Sequence, residues 1–169
     1  MTARAVPLDR LGRGFELVCK LLALAGGAVL VALTVMSTVS IGGRVIGHPI
    51  QGDFELVQIG CAVGTAFFLP YCQLKRCNII VDFFTVRSGR RVRGALDALG
   101  ALSVALMMGL LAWRTGVVTI AMMSSGESSM IIGVPLWYAY ALMTISCGLT
   151  GLVGLYTSWK SWREGRAQL

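Results

Sequence analysis

The composition of the chain excludes most classes of protein. It has 169 residues, of which 56% are hydrophobic and only 14% are charged, and its formal net charge is +7. A soluble domain usually carries about 25% charged residues, so this chain could not cover its own surface with polar groups. Its basic residues stand in clusters between apolar runs, which is typical of a membrane protein rather than of a nucleic-acid-binding protein. The same numbers exclude a soluble enzyme and a disordered chain.

Four apolar segments are long enough to cross a bilayer as α-helices, which takes about 20 residues each. We predict them at residues 17–41, 54–74, 96–123 and 136–159. Trp137 and Trp159 bracket the fourth segment at a separation of about 33 Å along a helix, and aromatic residues of this kind prefer the two membrane interfaces. The sequence thus predicts an all-α membrane protein whose four transmembrane helices form one domain over residues 1–169.

The basic residues predict the orientation of these helices. Every Lys and Arg except Arg44 and Arg114 lies near the N-terminus, between the second and third segments, or after the fourth. Because cytoplasmic flanks are enriched in basic residues, both chain termini are predicted to be cytoplasmic. The apolar core of the first segment is longer than that of a signal peptide, and no small-residue cleavage site follows it, so we expect this segment to be retained.

Residues 75–86, KRCNIIVDFFTV, are predicted to form a short helix in the cytoplasmic interface between the second and third spans. Lys75, Asn78 and Asp82 recur at helical spacing, while the residues between them are mostly apolar. Such a segment lies flat with its apolar side toward the lipid. It is either a plain linker or a docking element for another membrane protein. Pro70, just upstream, is expected to kink or end the second helix.

Arg114 is the one charged residue deep inside a predicted span. Two interpretations are open: its side chain reaches outward to the membrane surface, or it pairs with an acid. Asp53 and Glu55 begin the second span on the same outer side, and we consider Glu55 the candidate within this chain. An acid of a partner protein is the other source. Both chain acids also have a simpler role, because a carboxylate in the first turn complements the helix dipole.

Small residues recur at spacings that allow helices to approach closely. Gly60 and Gly64 form a G-x-x-x-G pattern in the second span, and Gly148, Gly151 and Gly154 form a stripe in the fourth. Such faces pack against neighbouring helices in membranes. The chain contains 21 glycines, so patterns of this kind also arise by chance.

No catalytic, cofactor or metal site is predicted. His48 is the only histidine, and the five cysteines form no C-x-x-C motif. Phosphate-binding and nucleophile motifs are absent from the sequence, and no acid lies deep in a span as a small proton-coupled exporter would need. The residues that stand out are interpreted as structural or as contacts with another subunit: Glu55, Pro70, Asn78, Asp82, Arg114 and Trp137.

The run from Gly52 to Val86 resembles the small membrane subunit of tripartite ATP-independent periplasmic (TRAP) transporters, the DctQ-like family. The residues that carry the resemblance are Glu55, Phe68, Leu69, Pro70, Arg76, Asn78, Ile79, Val81 and Asp82. The stretch 128–143, with Pro135 and Trp137, is similar to the family's entry into its fourth span. Asn78 departs from the pattern, since many members carry His there, and this leaves the substrate subgroup open.

The resemblance implies a non-catalytic scaffold subunit of a sodium-coupled importer in the bacterial inner membrane. A periplasmic binding protein would deliver an organic acid, such as a C4-dicarboxylate, a keto acid or a sugar acid. A large multi-span subunit would bind the substrate and the sodium ions. This chain would need no cofactor, and its partners would be those two proteins and membrane lipids, not nucleic acid.

Three other functions remain open. A small four-span subunit also occurs in tripartite tricarboxylate transporters. An autonomous small exporter or channel would carry substrate by itself, and a four-span redox or lipid enzyme would depend on Cys61, Cys72 or Cys77. For the last two functions, the sequence lacks the residues that such chemistry usually needs.

Overall fold

The structure is a computed structural model. It describes the backbone of residues 10–47, 51–75 and 90–166, and the side chains of residues 14–47, 51–75 and 98–160. Within these ranges it is helical, apart from turns and one isolated β-bridge between Ser128 and Pro135. The predicted interfacial helix at 75–86, with Asn78 and Asp82, lies outside the described residues except for Lys75.

Four long helices account for the described chain. They are α1 (Arg10–Val45), α2 (Asp53–Leu74), α3 (Arg90–Ser125) and α4 (Trp137–Arg166). Each contains a stretch long and apolar enough to cross a membrane, namely Gly14–Val45, Asp53–Leu74, Ala98–Ser125 and Trp137–Lys160. The prediction of an all-helical protein with four membrane-spanning segments is therefore confirmed, since 18 or more apolar residues suffice for a span.

Glycines with positive φ mark two helix boundaries at the same end of the molecule. Gly52 precedes α2 with φ 79°, and Gly126 follows α3 with φ 66°. The Gly126 N–H donates to the Met122 carbonyl oxygen at 3.1 Å, which satisfies one of the last carbonyls of α3. Left-handed backbone is accessible to glycine without steric penalty, so these positions let the chain turn sharply out of each helix.

The helices pack side by side in the order α1–α2–α4–α3. In the part of the chain that is described, α4 packs against both α2 and α3, whereas α1 packs mainly on α2 and α3 mainly on α4. Consequently α2 and α4 are the inner helices, and α1 and α3 are the outer ones. We call the end with the α1–α2 and α3–α4 connections the loop end, and the end with the start of α1 and the close of α4 the terminal end.

The two outer helices approach their neighbours through glycines. A Cβ at Gly26 of α1 would lie 2.8 Å from the carbonyl oxygen of Gly64 and 2.9 Å from the Cβ of Phe67. A Cβ at Gly154 of α4 would lie 2.9 Å from the Cβ of Ala105 on α3. These distances leave no room for any larger side chain, as expected where small residues set the interhelical distance.

The sequence patterns located most of these contacts. Gly60 and Gly64 both face α1, and Gly151 and Gly154 both face α3. Gly148 has no neighbouring atom within 4 Å of its would-be Cβ, so it takes no part in the contact. The partner glycine on α1, Gly26, belongs to no pattern that the sequence singled out.

Hydroxyl groups of α4 join this helix to both of its neighbours, α2 and α3. Ser146 is fully buried and donates from Oγ to the Ala66 carbonyl oxygen of α2 at 2.6 Å. Ser158 donates to the Ala98 carbonyl oxygen of α3 at 2.9 Å. The Ala66 carbonyl lies four residues before Pro70, which has no N–H, so the Ser146 hydroxyl takes the place of the missing ladder bond. The Ala98 carbonyl can accept Ser158 through its second lone pair. Each hydroxyl thus links two helices without exposing backbone to lipid.

Replacing Ser146 by alanine is expected to lower the free energy of unfolding by about 1 kcal/mol, since interhelical hydrogen bonds in membranes contribute from about 0.6 to 1.7 kcal/mol. Equilibrium unfolding in mixed detergent and SDS micelles measures this change. Thr34→Ala is the control, because the exposed Thr34 hydroxyl bonds only to the Leu30 carbonyl of its own helix. An equal loss in both variants would contradict the assigned role of Ser146.

Candidate functional site

The loop end carries two carboxylates whose partners the structure defines, and we take this end as the candidate site. Asp53 opens α2 and accepts hydrogen bonds at Oδ2 from Ser40 Oγ, at 2.5 Å, and from Arg44 Nη2, at 2.6 Å. Ser40 is fully buried, and both donors belong to the last turns of α1. Asp53 therefore fastens the start of α2 to the end of α1, across the short connection between them.

Glu55 fastens the same end of α2 to the α3–α4 loop, residues 126–136. Its carboxylate accepts a hydrogen bond from the hydroxyl of Ser129 and a second, at 3.3 Å, from the Ile131 N–H. Ser129 is 8% exposed, so this contact is largely shielded from solvent. Hydrogen bonds to an ionised acceptor are roughly twice as strong as neutral ones, which makes Glu55 the main polar anchor of the loop.

The loop that holds Glu55 is closed on itself. The Ser129 N–H donates to the Val134 carbonyl oxygen at 2.9 Å, and the Gly133 N–H donates to the Ser129 carbonyl oxygen at 3.1 Å. Gly133 takes φ 69°, which completes the turn. The loop is thus a compact turn rather than an extended connection, and it presents Ile131 and Met130 outward with 61% and 100% exposure.

Gly52 brings the loop down onto the start of α2. It is buried, and a Cβ at this position would clash with the side chain of Ile132. Its φ of 79° also disfavours other residues. The Glu55 anchor and the Gly52–Ile132 contact together make α1, α2 and the α3–α4 loop one continuous surface at the loop end.

The terminal end has an ion pair of its own. Lys75 Nζ lies 2.6 Å from Glu16 Oε1 and 5.6 Å from the centre of the Tyr71 ring. The hydrogen bond to Glu16 raises the pKa of Lys75 above its ordinary value, so the lysine stays protonated throughout the physiological pH range. The pair links the start of α1 to the close of α2, and it contributes only modestly because both side chains are partly exposed.

Arg114 is not paired with Glu55, so that prediction for a contact within the chain is wrong. The ion pairs among the described side chains are Arg44–Asp53 and Lys75–Glu16, and Glu55 is held by Ser129 instead. Arg114 is exposed on the outer helix α3. A charged residue at the centre of a membrane helix costs about 2.5–3.5 kcal/mol on insertion scales, so its exposure calls for an explanation.

The structure also places Pro70 and Trp137, two further residues that the sequence singled out. Pro70 lies inside α2, which continues to Leu74, so it does not end the helix. It is fully buried among the helices, and the Ala66 carbonyl that its missing N–H leaves free accepts the hydroxyl of Ser146. Trp137 begins α4 and stacks on Tyr138 with ring centres 3.8 Å apart, at the loop end of the molecule.

Sequence reasoning missed Ser40, Arg44 and Ser129 as partners of the two acids. Each is a common polar residue next to a helix end, and only contacts between distant parts of the chain distinguish it. The described residues contain no group of three or more His, Cys, Asp or Glu side chains arranged to hold a metal ion. Chemically, this site can join loops and present a surface.

The four long apolar helices are those of a multi-pass membrane protein. The carboxylates of Asp53 and Glu55 join these helices at the loop end. The family model for tripartite ATP-independent periplasmic transporters, DctQ component, matches residues 30–164. The chain therefore belongs to the DctQ component family of TRAP transporters, as its resemblance predicted. Neither the curated proteins nor the solved structures contain a significant match.

Proposed function

We propose that this chain is the non-catalytic scaffold subunit of a TRAP transporter that imports organic acids into a bacterium. The observation that carries the proposal is the family match over residues 30–164. The arrangement of the helices supports it, because polar anchors join helices and loops to each other. In this proposal the large subunit binds the substrate and the sodium ions.

The proposed orientation places the loop end in the periplasm and both termini in the cytoplasm of a cell with an inner membrane. Charge supports this orientation. At the loop end Arg44 faces Asp53, and Glu55 and Glu127 add negative charge, whereas the terminal end carries most of the basic residues of the sequence. Basic residues concentrate on the cytoplasmic side of membrane proteins.

The closed α3–α4 loop supports a role in receiving the periplasmic binding protein. The loop end forms one surface because Asp53 and Glu55 tie α2 to both of its neighbouring connections. A surface held in one shape costs less entropy when a partner binds than a mobile one does. The proposed partners are accordingly the large membrane subunit beside the helices and the binding protein at the loop end.

Reconstitution tests this proposal. Proteoliposomes containing this chain with its cognate large subunit and binding protein are expected to take up a C4-dicarboxylate, keto acid or sugar acid from a labelled panel when a sodium gradient is imposed. Omitting this chain is expected to reduce the uptake at least tenfold, because the large subunit loses its scaffold. The control is a vesicle with the same lipids and no protein.

Three results would contradict the proposal. Flux through vesicles that contain this chain alone would favour an autonomous exporter or channel. Full uptake by the large subunit in the absence of this chain would show that no scaffold is required. Uptake restricted to tricarboxylates, with a large subunit of the tripartite tricarboxylate type, would favour the other four-span small subunit.

A further inference from the structure

The contact between α3 and α4 fixes the depth of Arg114. A Cβ at Gly116 would lie 3.5 Å from Thr144 Cγ2, so these two residues stand at the same level. Since the helices run in opposite directions, Arg114 stands at the level of Ser146. From there the start of α4 at Trp137 is about 14 Å away, at 1.5 Å per residue.

The other end of the span is farther away. From the level of Arg114 and Ser146, the close of the α4 span at Lys160 is about 21 Å along the helix. A hydrocarbon core of about 30 Å therefore places Arg114 well inside it, on the side of the loop end. The distance to either end exceeds the reach of an extended arginine side chain.

Arg114 also points away from the rest of the molecule. The residues of α3 that face α4 include Ala105, Gly109 and Thr119. Arg114 lies two residues before Gly116, which is about 200° around the helix at 3.6 residues per turn. Its neighbours on that side are exposed apolar residues, namely Met107, Leu110, Leu111 and Val117.

No acid of this chain can neutralise Arg114 at that depth. The acidic residues of the sequence are Asp9, Glu16, Asp53, Glu55, Asp82, Asp97, Glu127 and Glu164. None of them lies within residues 56–74, 98–125 or 137–160, and in α1 the single acid is Glu16, at the terminal end. A second copy of the chain has the same distribution and offers no carboxylate at this level either.

A lipid phosphate is also a poor partner for Arg114, because it lies at the surface of the bilayer and not at this depth. Ionisable side chains inside membranes usually face the interior of a helix bundle, where they pair with one another or with backbone carbonyls. Arg114, on the exposed face of α3, therefore needs a negative charge at its own depth in the membrane. A polypeptide other than this one must supply it.

We propose that Arg114 forms an ion pair with an Asp or Glu in a membrane-spanning helix of the large subunit. The face of α3 with Met107, Leu110 and Val117 is then the contact between the two subunits. This inference rests on the proposed function, and it deepens that function by choosing α3 rather than α1 as the helix that binds the partner. The guanidinium group can hold a carboxylate through two parallel hydrogen bonds.

Co-purification measures the contribution of Arg114. The chain and its large subunit are expressed together, extracted in mild detergent and captured through a tag on this chain. Arg114→Gln and Arg114→Leu are expected to reduce the recovered large subunit at least tenfold, because the partner acid is left unpaired. Arg114→Lys retains the charge without the planar two-bond geometry and is expected to give an intermediate loss. Val35→Leu, at an exposed residue of the other outer helix α1, is the control and should match the wild type.

Photocrosslinking locates the contact while Arg114 stays in place. A benzophenone amino acid at Leu110 or Val117 is expected to crosslink to the large subunit in native membranes. The same probe at Val31, an exposed residue of the other outer helix, should not. Crosslinks from Val31 but not from α3 would overturn the assignment of the face.

Each remaining outcome decides between the proposals. If the wild type captures no large subunit, the proposed function itself fails. If the wild type and Arg114→Gln capture it equally, only the Arg114 pairing is overturned. The thermal stability of the isolated chain in nanodiscs of anionic phosphatidylglycerol, compared with phosphatidylcholine, tests a lipid partner. If Arg114→Gln loses only the extra stabilisation by phosphatidylglycerol and still captures the large subunit, Arg114 binds lipid and the pairing is overturned. Unchanged thiol reactivity of the buried Cys19 shows that the variants are folded.

Discussion

Substituting Gly26 by alanine is expected to separate α1 from α2. The new Cβ would lie 2.8 Å from the Gly64 carbonyl oxygen and 2.9 Å from the Phe67 Cβ, and neither atom can move without its backbone. Overpacking of this kind costs about 1–3 kcal/mol, and α1 has no other extensive helix contact among the described residues to retain it. The measurement is the rate at which a maleimide labels Cys19, located by peptide mass spectrometry; this α1 residue is fully buried, and its labelling should accelerate at least tenfold.

Gly27→Ala provides a matched control one residue along the same helix. There a Cβ would have its nearest neighbour, the end of the Phe68 ring, at an ordinary 3.8 Å. Both substitutions raise helix propensity equally, so only the packing differs between them. Equal labelling of Cys19 in the two variants would show that the Gly26–Gly64 contact does not hold α1 in place.

Substituting Glu55 by alanine is expected to release the α3–α4 loop while leaving the helices packed. Hydrogen bonds to a charged group contribute about 1.5–3 kcal/mol, and removing the carboxylate leaves the nearly buried Ser129 hydroxyl without its acceptor. Hydrogen–deuterium exchange should therefore accelerate about 10- to 100-fold at Ile131, whose N–H is bound by Glu55. Glu55→Gln keeps an acceptor oxygen and should give a smaller effect.

Glu127→Gln is the control for charge in the same loop. Glu127 is exposed, and the structure shows a hydrogen bond to its backbone carbonyl, from the Leu136 N–H, rather than to its side chain. Its substitution removes one negative charge without removing an anchor, so exchange at Ile131 should stay at the wild-type rate. Comparable acceleration in both variants would mean that net charge, and not the Glu55 contact, orders the loop.

The membrane-spanning helices could be predicted because each depends on a local property. A segment of about 20 apolar residues without charges must satisfy its backbone hydrogen bonds internally when it enters lipid, and a helix does so within the segment. The four spans followed from this requirement alone. Pro70 shows its limit: a proline near a predicted helix end suggests a kink or a stop, but α2 continues through it to Leu74, and the carbonyl that it leaves free accepts Ser146 of α4.

The glycine contacts could be predicted only in part. Gly60, Gly64, Gly151 and Gly154 stand at spacings that form a continuous small face, and they do lie at helix contacts. The sequence could not indicate which helix each face meets, because small residues carry no information about their partner. Gly26 illustrates the point, since its role depends on α1 meeting α2 at the level of Gly64.

The charged residues show where sequence reasoning was wrong and why. Glu55 was one of the partners considered for Arg114, on the grounds of opposite charge and a shared side of the membrane. In the structure Glu55 finds a nearer donor in Ser129, and Arg114 lies on the far side of α3. Coulomb attraction falls with distance and depends on the intervening medium, so a pair cannot be assigned before the packing of the helices is known.

By itself the sequence determined the class of the protein, its four spans and its family, because hydropathy and motif are written residue by residue along the chain. Only the tertiary structure decided the order α1–α2–α4–α3, the partners of Asp53 and Glu55, and the outward position of Arg114. The physical reason is that lipid is as apolar as the helix surfaces, so hydrophobicity brings helices into the membrane but does not choose their neighbours. That choice depends on close fit and on a few hydrogen bonds between residues far apart in the chain.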